Sequence, residues 1–458
     1  MRARALLALG AIGAFVAGAL LLHPASVHPR AADTAAPSGV SSGSWFCPHG
    51  GGAGWTARLS LANPGDSAVQ TRVTELGAKG EKPPRSVSVP AQSVLRLTID
   101  ATSPQSAAEV EYFDGWIGAS WTTVAGGKQS GLAAEQCEPA LSRSWIVPDG
   151  TTLRGEDGWV VVMNPTAADA IFGISLLTET AVTAPGAWSD VVLPAGRSAA
   201  FQLSKFRLGK RTVSAVVDAK IGRVAVAGFG VTSSGGIRTA DGLPLPVHAS
   251  TLPGGPDSGR TELVVANPSG GKASYRGTLL RTDGSQPIGQ LNGETLPSQQ
   301  ARTYELSTSP ASSIQFTVSS SAGVAVARRT FGPHGDQGST VGAQPAAAWV
   351  IQAGTAAPSG KWAVSFANPG TAPVEVRLSL IDGGGPVSRP PPMTVTIPAG
   401  RTTLVGPGFT RGAPQGAIVA IASSGTFVPL ATSFTSDERS YAVSMGEPIP
   451  AHWVPAAS

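Results

Sequence analysis

The sequence predicts an all-β protein, in which an N-terminal transmembrane helix precedes four tandem immunoglobulin-like β-sandwich repeats. Short stretches of alternating apolar residues, abundant turn residues and a unit that returns at regular spacing predict this fold. With Gly 57 and Pro 38 among 458 residues, and 14% charged residues, the composition disfavours a coiled coil or a helix bundle. A closed ring or a four-bladed β-propeller-like assembly of the same units is the alternative.

The N-terminus has the pattern of an export signal that stays in the membrane. An uncharged apolar run at residues 5–22 follows Arg2 and Arg4. It is close to the roughly 17–25 residues that span a bilayer, and no clear small-x-small cleavage site follows. We therefore expect residues 1–22 to be a signal anchor with its N-terminus inside the cell, and a secreted chain with a cleaved signal peptide is the alternative. Residues 23–44, rich in Pro, Ala and Ser, form a spacer.

Two turn motifs recur in step through the rest of the chain. Each Asn-Pro dipeptide is followed by a Pro-(Ala/Ser)-(Gly/Gln) triplet, and the Asn-Pro dipeptides are 101, 103 and 101 residues apart. This spacing predicts repeats at 45–140, 141–247, 248–345 and 346–450, and residues 451–458 copy the opening strand. The motifs begin at Asn63, Asn164, Asn267 and Asn368, and at Pro90, Pro194, Pro297 and Pro398.

The motifs end predicted strands. Trp362, Val364 and Phe366 alternate with smaller residues and then meet Asn368-Pro369, where proline cannot continue the strand hydrogen bonds. About six or seven such strands in roughly 100 residues suit an immunoglobulin-like sandwich. Propeller blades need only about 40–50 residues, although the extra opening strand at the end of the chain favours closure.

The net charge indicates which partners to expect, and the two cysteines indicate a disulfide. A net charge of +4 comes from scattered Lys and Arg, so we expect no nucleic-acid partner. Cys47 lies in the first opening strand and Cys137 near the end of the first repeat. An even cysteine count in an exported chain predicts a disulfide between them.

The order of the motifs carries a family resemblance. Trp-x-x-Pro-x-Gly, Asn-Pro-Gly, Pro-Ala-Gly-Arg and Val-Ala-Val-Ala units resemble a repeat family of secreted or membrane-anchored, largely actinobacterial envelope proteins of unknown function. The second and fourth repeats match best, whereas the third lacks the opening tryptophan. The resemblance implies an extracytoplasmic, membrane-linked role and brings no catalytic residues with it.

Among the catalytic and metal-binding motifs considered, the carboxyl pair Glu109 and Glu111 is the one weak candidate. A Gly-x-Ser-x-Gly match at 39–43 lies in the spacer, and no His-Glu-x-x-His or phosphate-loop motif is present, so we expect no metal and no cofactor. Glu109 and Glu111 lie two residues apart on a predicted strand, about 6.5–7 Å from each other. That distance is at the low edge for inverting glycosidases, but a solvated strand face is the simpler interpretation.

Tryptophans are the better candidates for ligand contact. Those that recur in each repeat are expected in the core, whereas Trp116, Trp121 and Trp188 do not recur. Trp188 follows Pro185-Gly186 and is expected at an exposed loop tip. These three residues are the candidate ligand contacts.

These observations predict a non-enzymatic, membrane-anchored envelope protein. It would act as a binding or scaffolding module for an envelope protein or a cell-wall polymer. A structural spacer and a wall-active glycosidase are the alternatives.

Overall fold

A computed structural model describes residues 42–454, apart from 208, 256–259, 308–310, 332–336, 355–359, 383–390, 412 and 436–439. All of these residues belong to one unit, Ser41–Ser458. The predicted signal anchor at 1–22 and most of the 23–44 spacer lie outside the described residues. Within the described residues, no helix is long and apolar enough to cross a membrane.

The described chain is all-β, as predicted, and its antiparallel sheets follow one another in pairs that we number 1 to 4. Pair 1 contains β1 (Gly43–Cys47), β2 (Thr56–Asn63), β3 (Val69–Gly77), β4 (Gly80–Glu81), β5 (Arg85–Val89), β6 (Ser93–Ile99), β7 (Ala107–Phe113), β8 (Gly118–Ala125) and β9 (Gly131–Gln136). Pair 2 contains β10 (Ser144–Val147), β11 (Asp157–Asn164), β12 (Ala170–Leu177), β13 (Val182–Thr183), β14 (Val191–Leu193), β15 (Arg197–Gln202), β16 (Ser214–Ile221), β17 (Ala225–Val231) and β18 (Ile237–Asp241).

The second half of the chain follows the same plan. Pair 3 contains β19 (Ala249–Leu252), β20 (Thr261–Asn267), β21 (Ala273–Leu280), β22 (Ser285–Pro287), β23 (Glu294–Leu296), β24 (Gln300–Leu306), β25 (Ser313–Val318), β26 (Ala325–Phe331) and β27 (Gln337–Val341). Pair 4 contains β28 (Ala348–Gln352), β29 (Lys361–Asn368), β30 (Val374–Ile381), β31 (Met393–Ile397), β32 (Arg401–Val405), β33 (Ala417–Ala422), β34 (Val428–Phe434), β35 (Tyr441–Met445) and β36 (Glu447–Pro448).

Each pair consists of a five-stranded and a four-stranded sheet. In pair 2 the five-stranded sheet has the order β10-β16-β12-β13, with β14 also on β12, and the four-stranded sheet has the order β15-β11-β17-β18. Pair 3 repeats this as β19-β25-β21-β22, with β23 on β21, and β24-β20-β26-β27. An apolar core fills the space between the two sheets, because alternate residues of each strand face inward.

An asparagine at the end of the second strand joins the two turn motifs of each pair. Asn267 Nδ2 donates to the carbonyl oxygens of Gly271 (2.8 Å), Leu296 (3.2 Å) and Pro297 (2.9 Å). Asn63, Asn164 and Asn368 make the corresponding bonds, and all four asparagines are fully buried. The two motifs therefore recur together because one side chain satisfies the backbone of both turns.

The pairs pack against one another in a closed cycle. The five-stranded sheet of pair 1 contacts pair 2 through Phe46 and Met163, and that of pair 2 contacts pair 3 through Ile146 and Ala266. Ser365 Oγ of pair 4 donates to Gly254 O of pair 3 at 2.8 Å.

Pair 4 then packs on pair 1 and closes the cycle. Val350 and Val419 of pair 4 join the apolar core of pair 1, and Arg96 of pair 1 donates to Ala353 O of pair 4 at 3.0 Å.

Four edge strands meet at the centre of this cycle. Strand β9 packs against β18 and β35, and β27 packs against the same two strands. Thr239 Oγ1 on β18 donates to Ala134 O on β9 at 3.2 Å, and Ala442 on β35 packs on Ala134. The central side chains are buried, so packed side chains fill the axis.

Helical structure is confined to single turns. The only α-helical turn in the described chain is α1 (Pro407–Thr410), beside 3-10 turns at Gly186–Trp188, Leu203–Lys205, Gly289–Leu291 and Ala451–Trp453. Residues 451–453, expected as a copy of the opening strand, form a 3-10 turn closed by Trp453 N–H on Pro450 O. Strand β36 just before it pairs with β28 and occupies the sheet edge instead.

Candidate functional site

The predicted disulfide is confirmed. Cys47 at the end of β1 and Cys137 just after β9 are bonded, with Cα atoms 4.5 Å apart, and both are buried. Phe46 and Glu138 form a backbone bridge beside the bond. The disulfide thus ties the first strand of pair 1 to the chain that leaves the central strand β9.

The recurring opening tryptophans have a shared structural role. The indole N–H of Trp45, Trp145 and Trp349 donates to the carbonyl oxygens of Ile117 (2.8 Å), Val224 (2.7 Å) and Phe427 (3.0 Å), respectively. Each bond crosses from one sheet of the pair to the start of the strand opposite. These side chains belong to the core, as expected from their recurrence.

The three non-recurring tryptophans are also buried. Trp188 is 6% exposed, and its ring packs edge-on against Phe201 and Phe206, with centroids 5.5 and 4.6 Å away. The expectation of an exposed loop tip is therefore wrong, because the 3-10 turn folds this large apolar ring back onto the core of pair 2. Trp121 is 1% exposed beside His49, which leaves no surface for a ligand. Trp116 is buried against Trp45 but also lines a small cavity.

His49 follows the disulfide and does not act as a charged group. Its Nδ1 is 2.8 Å from Gly50 O, and burial lowers the pKa of His49 to about 4. Among the described residues, no group of three or more His, Cys, Asp and Glu side chains has an arrangement suited to a metal ion.

Glu109 and Glu111 share one face of β7 but differ in environment. Glu111 Oε1 accepts from Arg72 Nη2 at 2.7 Å. Burial raises the pKa of Glu109 to about 7, and repulsion from Glu111 and Glu81 adds to the rise. The four cavities described below are lined by residues other than Glu109 and Glu111.

Buried carboxyl groups between neighbouring pairs have no counterpart in the sequence analysis. Glu135 on β9 bonds Asp241 on β18, and burial raises the pKa of both, with Glu138 close by and raised in the same way. Glu447 on β36 accepts from Gln352 Nε2 at 3.3 and 3.2 Å, and burial raises its pKa to about 8. Their burial follows from packing between distant segments, which gives no signal in the local sequence.

An ion-pair network joins pairs 2 and 3, and no pattern in the sequence predicts it. Arg329 on β26 donates to Asp149 from Nε at 3.0 Å and to Glu262 from Nη1 at 2.9 Å. Arg238 on β18 is 3.5 Å from Asp149 and donates to Gln337 at 3.0 Å. All of these residues are buried. Glu262 also pairs with Arg211 and Arg260, which are partly exposed, so the network extends from the buried contact between the pairs to the surface.

Pair 2 has three aliphatic side chains side by side on the outer face of its five-stranded sheet. Ile171 on β12 lies between Val192 on β14 and Ile221 on β16, in register on the outer face of the five-stranded sheet. Val192 and Ile221 are each 55% exposed. We call these three residues the aliphatic row. The corresponding positions are largely polar elsewhere: Gln70, Ser88 and Phe113 in pair 1, Ser274, Thr295 and Ser319 in pair 3, and Glu375, Thr396 and Ser423 in pair 4.

The cavities are modest and lie near the surface. One of about 420 Å³ is formed by the loop Thr152–Asp157 with Ser204, Gly209 and Val231. Two more, of about 330 and 320 Å³, share Pro287 on the outer face of pair 3. A fourth, of about 120 Å³, lies beside Trp116 and Trp453.

Comparison with known proteins identifies the family. Residues 105–408 match a family of unknown function, DUF5719. The chain belongs to this family. No curated protein matches the chain.

Some of the features described above lie within the DUF5719 match and others lie outside it. The aliphatic row and the ion-pair network lie within residues 105–408, whereas Cys47 and Trp453 lie outside this range. The fold features that recur in all four pairs therefore extend beyond the part that defines the family match.

Proposed function

We propose that this DUF5719 protein is a non-enzymatic, membrane-anchored envelope protein that presents a rigid platform to a protein partner. In this proposal the four sheet pairs are repeats of an immunoglobulin-like sandwich arranged in a ring. The anchor at 1–22 holds the ring outside the cell membrane, and the spacer gives it reach. The aliphatic row carries the proposal, because its three positions are aliphatic in pair 2 and largely polar in the other pairs.

The side chains available at the surface favour a protein over a glycan. Sugar recognition uses aromatic faces, but all ten tryptophans lie in the described chain and none is exposed. Aliphatic side chains exposed together are typical of protein contacts. Packing of pair 4 on pair 1 also favours a platform over a spacer, because a spacer gains length from an open chain.

A site-specific photo-crosslinker tests the partner surface. A benzophenone amino acid is placed at Val192 in cells, with Ser88, Thr295 and Thr396 as matched positions in the other pairs. We expect one discrete protein adduct from position 192 that is lost when Ile171 and Ile221 are changed to Ser. Equal adducts from all four positions, or none at 192, would contradict the proposal.

The wall-polymer alternative has its own test. The 41–458 chain is sedimented with isolated cell-wall sacculi, before and after accessory polymers are stripped from them. We expect no retention on either preparation. Retention on either preparation would contradict a protein partner and support a polymer partner.

The different environments of Glu109 and Glu111 favour a glycosidase as the second candidate, since catalytic carboxyl pairs need one protonated and one ionised member. Hydrolysis of wall glycan that Glu109→Gln abolishes would support it. Unchanged hydrolysis in that variant, or no hydrolysis, would exclude this pair as the catalytic site.

A further inference from the structure

A small cavity lies where the segment after β36 packs on pair 1. Its volume is about 120 Å³, and its walls come from the Asn63–Val69 turn, the Asp114–Trp116 turn and Trp453. Trp453 is half-buried there, and Asp66 and Asp114 are exposed at its rim. Two indole rings and two carboxylates therefore line a space of the size of a small head group.

The cavity walls are specific to pair 1. Counting from the asparagine of each Asn-Pro turn, Asp66 corresponds to Ala167, Gly270 and Thr371. Counting back from Ile117, Val224, Val324 and Phe427, Trp116 corresponds to Arg223, Gly323 and Thr426. Asp114 directly follows Phe113, the counterpart of Ile221, and so corresponds to Gly222, Ser320 and Ser424. Three unrelated replacements coincide at the one place where Trp453 packs. A structural turn repeated four times does not require them.

The lining has negative charge without a counter-ion. None of the ten residues that line the cavity is basic. In the described chain, no ion pair involves Asp66 or Asp114. Indole faces attract organic cations, and carboxylates beside them add opposite charge. This combination selects a compact alkylammonium group over a neutral or anionic one.

We propose that the cavity lined by Trp116, Trp453, Asp66 and Asp114 binds a primary alkylammonium group. The site is separate from the aliphatic row and goes beyond the proposed function. A lysine side chain and a free polyamine offer the same group, so the ligand is defined here by the ammonium and its alkyl stem.

The test follows the indole N–H resonances of the 41–458 protein by nuclear magnetic resonance. Trp453→Phe assigns the Trp453 resonance. The probe is n-butylammonium, and 1-butanol is its neutral counterpart. We expect the Trp453 resonance to shift saturably with n-butylammonium and not with 1-butanol. An equal response to both would overturn the proposal, as would no shift up to saturating salt-matched concentrations.

Variants link the shift to the carboxylates. Asp114 has φ 63°, a left-handed conformation that Asn also adopts, so Asp114→Asn removes charge without backbone strain. We expect Asp66→Asn and Asp114→Asn each to weaken n-butylammonium binding roughly two- to fivefold. The matched control is Asp190→Asn, at φ 54° and away from the cavity, which should bind as the wild type does. Equal affinity in all three variants would overturn the proposal.

The source of the ammonium group is distinguished by two further probes. Nα-acetyl-lysine methylamide represents a lysine side chain, and putrescine represents a free polyamine. Tighter binding of the first indicates a protein lysine, and tighter binding of the second indicates a polyamine. Binding of neither, with n-butylammonium also inactive, would overturn the proposal.

Discussion

A single asparagine side chain holds two turns together in every sheet pair. Its amide group satisfies two or three backbone carbonyl oxygens that the tight turns leave without partners. Its Oδ1 accepts a backbone N–H two residues on, as Gly65 N–H donates to Asn63 at 2.9 Å. These bonds explain why Asn-Pro recurs in all four pairs, although the residues after it vary.

Replacing one such asparagine should destabilise the protein. Asn267→Ala leaves the buried carbonyl oxygen of Leu296 without its donor and removes one bond each from the part-buried oxygens of Gly271 and Pro297. We therefore expect a loss of about 1–3 kcal/mol in the free energy of unfolding. Denaturant unfolding measures it. The control is Asn292→Ala in the same pair, which is exposed and should change stability little. Equal losses in both variants would contradict the assigned role.

The second turn of each pair requires a left-handed residue. The position is Gly196 and Gly400 in pairs 2 and 4 (φ 63° in both), but Gln92 (φ 47°) and Gln299 (φ 54°) in pairs 1 and 3. A side chain is strained there, so Gln299→Gly should stabilise the protein by about 0.5–1 kcal/mol. Gln300→Gly, in the extended strand β24, should destabilise it instead. A loss of melting temperature in both variants would show that the turn is not strained.

Buried carboxyl groups set the response to alkaline pH. Glu447 keeps its proton up to about pH 8 when folded but loses it near its ordinary pKa of 4.5 when unfolded. Between these values the unfolded chain binds fewer protons, so stability falls as the pH rises. His49, with its folded pKa of about 4, opposes this trend only below pH 6.5.

Between pH 6.5 and 8, His49 therefore does not oppose the effect of Glu447 on stability. We expect the free energy of unfolding to fall with pH there, and Glu447→Gln to remove about 1–2 kcal/mol of that fall. Thermal or denaturant unfolding at several pH values measures the slope. A slope that is identical in the variant would exclude Glu447 as a cause.

At the scale of elements, contacts between neighbouring sheet pairs are of two kinds. Pairs 1 and 2 meet through apolar side chains such as Phe46 and Met163 and through the buried carboxyl pair Glu135–Asp241. Pairs 2 and 3 share the buried ion-pair network around Asp149 and Arg329. A buried network fixes the relative position of two elements, because its charges lose partners when the elements move apart.

Breaking that network should be costly. Arg329→Met leaves Asp149 and Glu262 with fewer cationic partners, and we expect a loss of about 3–5 kcal/mol in unfolding free energy. Lys220→Met is the control, since it removes a surface pair with Asp190 in which both side chains are 62% exposed. If the two variants unfold at the same denaturant concentration, the network does not join the pairs.

Much of the fold could be predicted from the sequence, but the site could not. Period-two alternation and the Asn-Pro spacing are local signals, so the strands, the turns and the Cys47–Cys137 bond were accessible. The packing of Trp188 was not, because a Pro-Gly-Ala-Trp stretch looks the same at a loop tip as in a turn that folds back. Glu135, Asp241 and Arg329 gave no signal, since their burial depends on contacts between distant repeats.

At the scale of the whole molecule, repetition supplies its own internal controls. Four equivalent positions in similar surroundings show which side chains the fold requires and which are additions. Buried asparagines recur in all four pairs, whereas the aliphatic row occurs in pair 2 and the Trp116 cavity in pair 1. The proposed binding surfaces, the aliphatic row and the cavity beside Trp116, lie where one pair differs from the other three.

Distances between spin labels measure whether the four sheet pairs close into a cycle. Labels are placed pairwise at the equivalent positions Ser88, Val192, Thr295 and Thr396; the native cysteines are bonded and do not react. The cycle predicts that the 88–396 distance matches the 88–192 distance and that both are shorter than 88–295. If the 88–396 distance is instead the longest of the three, the pairs form an open chain and no cycle closes.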